Sequence, residues 1–185
     1  KQIWKRHLGK PFCKSCSDKL QKTKAKEKRA AVRKKKAETI TERKLDQIFS
    51  LLVRNVYPPF CHSSKVPIEV VGSHCAHLIS RQNRCTRFDL RNCYPTTPQE
   101  NMFNQLHVIQ LAKRLKEYYD IEIEDWEQSA KQTLCKLNKE DRLEMFNIFK
   151  EGLEKALLIK KSSVDQESEL KALRKDIIQI TKRIM

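Results

Sequence analysis

Turn formers are scarce in this chain, with three glycines and six prolines among 185 residues. A sandwich or barrel needs a turn at roughly every 8–12 residues, most of them built on such residues. A mostly α fold is therefore expected, with room for one small β-hairpin. Helical spacing supports this along most of the length. Leu45, Ile48, Phe49 and Leu52 share a face in TERKLDQIFSLLVRNV, with Thr41 as N-cap and Tyr57-Pro58-Pro59 as the stop. Val108, Leu111, Ala112, Leu115 and Tyr118 form a second stripe; Trp126, Ala130, Leu134 and Leu137 a third; Leu143, Phe146, Phe149, Leu153 and Leu157 a fourth. In the tail, Leu170, Leu173, Ile177, Ile180 and Ile184 alternate spacings of three and four. That seam spans little more than two heptads, short for an autonomous coiled coil. It serves either a homodimer or packing on the preceding helix, and its shortness favours the second.

The formal charge is +16, which draws a chain towards polyanions by releasing counterions from phosphates. Nucleic acid is the expected partner. Ten of the residues from Lys19 to Lys36 are Lys or Arg, Lys34, Lys35 and Lys36 among them, with Glu27 the one acid. Their composition favours helix while like charges oppose it until a polyanion neutralises them. The segment is read as a nucleic-acid arm, a solvated linker being the alternative. With no apolar run of 18 residues and no secretory pattern, a soluble intracellular protein is expected, without membrane partners. Seven cysteines, an odd number, fit reduced thiols. Cys13-x-x-Cys16 has the spacing of half a zinc site, with ordinary thiols as the alternative; closure needs two more ligands, for which Cys61, His62 or the other cysteines are candidates. The expected organisation is a basic arm over 1–40, a central domain over 41–137 and a helical extension over 138–185.

The densest chemistry lies in VVGSHCAHLISRQNRCTRFDLRNCYPTTPQENMFNQLH, Val70 to His107. His74, His77, Asn92 and His107 come in the order His, His, Asn, His. Pro67–Val71 reads as a short strand, with His77-Leu78-Ile79 as its continuation or partner. Side chains three apart on a strand point to opposite faces, so His74 and His77 converge only if the backbone bends between them. Imidazole, with an ordinary pKa near 6.5, is suited to deprotonate water near neutrality. Arg81, Arg84, Arg87 and Arg91 are candidate phosphate contacts. Phe88 is expected in the core and Asp89 as a cap or arginine partner.

HCAHLISRQNRCTRFDLRN followed by LHVIQL resembles the HNH nucleases, and more narrowly the NinG/Rap recombination nucleases of lambda-like phages. Members of that group carry GH(Y/F)-(I/L)-SR, then RFDxxN, then a GN-V-x-E-Y-like helix start. The resemblance implies a ββα-metal unit embedded among helices, with the host cytoplasm as compartment if the chain is phage-encoded. It implies His77 as general base, Asn92 as the residue that orients it, and His74 with His107 as ligands of a divalent cation, Mg²⁺ or Mn²⁺ or a transition metal. It also implies hydrolysis of branched or structured DNA. The chain departs from the group at its zinc knuckle. Thr97-Pro98-Gln99-Glu100-Asn101 stands where relatives have C-x-x-C-N, and Cys61 faces Ser64 in place of a second thiol, so no four-ligand zinc site is expected there. The rivals are a nucleic-acid-binding protein that kept the fold without catalysis, and a subunit of a larger assembly.

Overall fold

A computed structural model describes residues 3–7, 10–13, 18–29, 39–103, 107–133 and 135–185. The chain divides into two units, Lys1–Thr39 and Ile40–Met185. In the first, β1 (Ile3–His7) and β2 (Lys10–Cys13) pair antiparallel, with a slip in register between Ile3 and Lys5. Helix α1 covers residues 18–29, with Lys19, Lys22, Lys24, Lys26, Lys28 and Arg29 all exposed. Cys13 closes β2, while Cys16 and Lys34, Lys35 and Lys36 lie outside the described residues.

The second unit holds α2 (Glu42–Val56), β3 (His74–His77), a 3-10 turn (Leu90–Asn92), β4 (Cys93–Thr96), α3 (Pro98–Phe103), α4 (His107–Tyr119), α5 (Ile123–Gln132), α6 (Lys139–Ser162) and α7 (Gln166–Ile184). It is mostly helical around one hairpin. Helix α2 starts where Thr41 accepts a hydrogen bond from Lys44 N at 3.3 Å and stops at Tyr57, ahead of the two prolines. The hairpin pairs β3 with β4, His74 opposite Thr96 and His77 opposite Cys93, without a slip. The strand expected at Pro67–Val71 is absent. Pro67 makes one isolated bridge to Phe60, and the chain then turns through Gly72 at φ 85°. Pro67 has no N–H to continue a ladder, so β3 begins only after the turn and takes its partner from across the 78–92 loop.

Helix α2 is the centre of the core, packed against α6 and α7 on one side and the hairpin on the other. Phe49 reaches Phe88 of the loop, ring centroids 5.7 Å apart, and Phe149 of α6 at 5.0 Å. The buried face of α6 is Met145, Phe149, Gly152 and Ala156, while Leu143 and Leu157, expected inside, are exposed. The cause is close approach. A Cβ at Gly152 would stand 2.8 Å from Ile177 Cδ1 and 3.3 Å from Leu52 Cδ1, so α2 and α7 meet α6 over its small residues. Asn138 and Asp141 close a reciprocal capping box at the start of α6, satisfying two otherwise orphaned backbone donors.

The tail seam turns inward. Leu170, Leu173, Ile177 and Ile178 of α7 are buried with α2 and α6, and Ile180 is exposed. Buried Arg174 donates to Val56 O at the end of α2, pairs with Glu167 at 2.9 Å and lies 4.9 Å over the Tyr57 ring. A cation on an unpaired carbonyl at a helix C-terminus opposes the negative end of the helix dipole. Residues 138–185, read from sequence as an extension, thus wall the same core. Cys85 and Cys135, 50 residues apart, form a disulfide where reduced thiols were the expectation, and Cys61, Cys75 and Cys93 are free. The fold brings their Cα atoms to 5.2 Å, inside the span a disulfide bridges.

Candidate functional site

Asn92 is fully buried at the base of the 78–92 loop. Its Oδ1 accepts from Ile79 N at 2.6 Å, and its Nδ2 donates to Ile79 O at 2.9 Å and Thr86 O at 3.0 Å. Leu78 N adds a bond to Asn92 O at 2.9 Å. One amide therefore ties the residue two after His77 to the far limb of the loop. Asp89 caps the 3-10 turn by accepting from Arg91 N at 2.9 Å.

β3 is regular, without a bend, so alternation sets His74 and His77 on opposite faces. On the His77 face the neighbours are Cys75, two residues earlier, and Cys93, directly across the strand pair. The ligand atoms of these three all lie within 4.8 Å of one another, a spacing that a metal ion can bridge. His77 Nε2 is 3.1 Å from Arg87 O. Burial lowers the His77 pKa to about 4, against the Arg87 carbonyl that raises it, and the nearby Arg81 lowers it further. On the other face, half-buried His74 has its Nδ1 3.4 Å from Asn101 Nδ2 of α3. His107 is half-buried in the first turn of α4. The structure thus groups His77 with two cysteines and His74 with Asn101, residues that sequence reasoning did not assign. The spacing of Cys75 from His77 was a legible hint; Cys93 and Asn101 needed the register and the helix.

The four arginines separate into two kinds. Arg87 binds Asp46 through two bonds of 3.0 and 2.7 Å, and Arg91 binds Asp89 and stacks 5.1 Å over Trp126. Both are held by carboxylates, which compete with the phosphate contacts expected of them. Arg81 and Arg84 are exposed, Arg84 with a loose 3.8 Å contact to Glu42. Arg81 lines an open groove with Arg43 and Arg54 along α2.

Hydrogen bonds hold the site of the missing knuckle. Cys61 Sγ is 3.2 Å from Ser63 Oγ, and His62 N donates to Pro95 O at 2.9 Å. Burial would raise the Cys61 thiol pKa, but bonds from Ser63 and Ser64 and from the Ser64 and Thr97 backbone outweigh it and lower the pKa. His62 is stacked 4.6 Å from Phe60 and enclosed by Tyr57, Tyr94 and Tyr118. Its burial pushes the pKa down to about 4, against the Phe60 carbonyl that raises it. Unfolded, the same group titrates near 6.5. The contribution of neutral His62 is then complete above pH 6.5 and is lost as the pH falls towards 4, where the unfolded chain alone takes the proton. That difference is worth about 3 kcal/mol. Urea unfolding at pH 7 and pH 4.5 should show the loss, and His62→Phe should flatten it by about one proton. Equal pH dependence in both proteins would refute the assignment.

The chain matches no family model, no curated protein and no solved structure. Among the described residues, no helix is long and apolar enough to cross a membrane.

Proposed function

We propose that the chain is a metal-dependent endonuclease of the HNH type, hydrolysing DNA phosphodiesters. The observation that carries this reading is the Asn92 amide, which ties the loop behind His77 on a hairpin followed at once by a short helix. In this reading β3 and β4 are the hairpin of the ββα unit and α4, which His107 opens, is its helix. His77, neutral at pH 7, takes the proton of the attacking water, with its ring oriented by the Arg87 carbonyl. His74 and His107 hold the cation, with the Asn101 amide nitrogen beside His74 Nδ1. Mg²⁺ or Mn²⁺, or a transition metal, would stabilise charge on the phosphate and the leaving oxygen. Arg81, Arg84 and the exposed lysines of α1 supply phosphate contacts, consistent with the charge of +16. The family resemblance extends the proposal to branched or structured DNA in phage recombination.

One observation favours a second reading, a nucleic-acid-binding protein without cleavage. β3 sets His74 and His77 on opposite faces, which separates the proposed base from the proposed metal ligand. A nicking assay on duplex, flap and four-way-junction DNA decides between them. Cleavage with Mg²⁺ or Mn²⁺ that stops on chelation is the expected result. Binding to all three substrates with no cut under either metal would leave the second reading.

A further inference from the structure

We infer that Cys75, His77 and Cys93 form a binding site for a thiophilic divalent ion of the zinc class. The register makes the site. Cys93 is directly across from His77, and Cys75 is on the same face two residues before it, so three donors from two adjacent strands converge within 4.8 Å. With Zn–S bonds of about 2.3 Å and Zn–N bonds of about 2.0 Å, tetrahedral donors stand roughly 3.4–3.8 Å apart. The donors stand within an ångström or so of that spacing.

The donor set selects the ion. Two thiols and an imidazole, with no carboxylate among them, suit Zn²⁺ and related soft ions and suit Mg²⁺ or Ca²⁺ poorly. The surroundings fit the same class. Cys93 is fully buried and Cys75 and His77 half-buried, so a thiolate pair there needs a cation beside it. Burial raises the Cys93 thiol pKa, and the adjacent Cys75 raises it further. The Arg87 carbonyl, 3.1 Å from His77 Nε2, can accept that N–H while Nδ1 binds the ion, the arrangement that fixes the tautomer of a ligating histidine. Asn92, next to Cys93 and anchored by three amide bonds, holds the strand end rigid. Among the described residues the group has three members, which leaves the fourth position of a tetrahedron to water or another ligand.

This site does not rest on the nuclease reading. Where both hold, an ion here occupies the lone pair that His77 would use as a base, so metal occupancy would switch that chemistry off.

Cobalt(II) serves as the probe, titrated into the reduced full chain carrying Cys13→Ser and Cys16→Ser, so that the N-terminal pair is silent. One equivalent should produce thiolate-to-cobalt charge-transfer absorption that Zn²⁺ displaces. Adding Cys75→Ser or His77→Gln should each weaken the affinity at least tenfold, the lower end of the roughly 10–100-fold lost on changing even a supporting partner of a ligand. Cys135→Ser should leave the titration unchanged. Both weakening variants are at half-buried positions, and circular dichroism verifies that they fold. Absence of the band in the starting protein, an unchanged titration in Cys75→Ser and His77→Gln, or its loss in Cys135→Ser would each overturn the site. Because the readout is optical, a protein that binds cobalt and cuts no DNA refutes the nuclease reading alone.

Discussion

His77→Ala is expected to slow DNA cleavage by about 10²- to 10⁴-fold, the range for removing a positioned base, while leaving DNA affinity near the parental value. The two effects separate because they arise from different groups. In the proposed reading the phosphate contacts fall to Arg81, Arg84 and the exposed lysines of α1, and the imidazole serves the proton transfer. The rate loss corresponds to roughly 3–5 kcal/mol of transition-state stabilisation. The structural side effect is smaller, since alanine deprives the Arg87 carbonyl of one neutral partner, a net loss of about 1 kcal/mol. Single-turnover rates and equilibrium binding on the same substrate test the split. His107→Ala should instead lose cleavage together with metal affinity. Parental cleavage by His77→Ala would remove His77 from the role of base, and weakened binding would show that the imidazole contacts the substrate.

Asn92→Ala is expected to destabilise the fold by about 3–5 kcal/mol. It orphans three backbone groups at once, Ile79 N, Ile79 O and Thr86 O, in residues that are themselves buried. Each orphan costs about 1–3 kcal/mol, and the cavity left by the amide admits water that recovers part of the sum. The same change should therefore abolish activity by loosening the loop behind His77, without any contact to substrate. A urea midpoint shift in step with the loss of cleavage marks that route. A variant less than about 1 kcal/mol weaker would show that the loop holds its shape by its other contacts, chiefly the 3-10 turn capped by Asp89.

Local chemistry was legible in the residues themselves. Thr41 opens α2 because its hydroxyl accepts from Lys44 N in the first turn, and Tyr57-Pro58-Pro59 closes it because proline donates nothing. Phe88 is in the core and Asp89 serves as cap and arginine partner, as their neighbours suggested. Asn92 was marked only through the family resemblance, as the residue that orients His77, and its amide makes three bonds to backbone across the loop. The helix cap, the helix stop and the Asp89 cap depend on residues a few positions away, and short-range pattern is what a sequence displays.

What the tertiary structure decided was pairing between distant segments. β3 took Cys93–Thr96 as its partner because Pro67 and Gly72 broke the nearer candidate, and that register alone brought Cys93 beside His77. Arg87 met Asp46 across 41 residues, which turned an expected phosphate contact into a structural ion pair. Cys85 found Cys135, and His74 found Asn101. On α6 Leu143 and Leu157 lost the inner face to Met145, Phe149, Gly152 and Ala156, because α2 and α7 approach it closely at Gly152. Periodicity marks which faces of a helix or strand are apolar; which face goes inside, and which donors meet, depends on the shapes of elements far off in the chain.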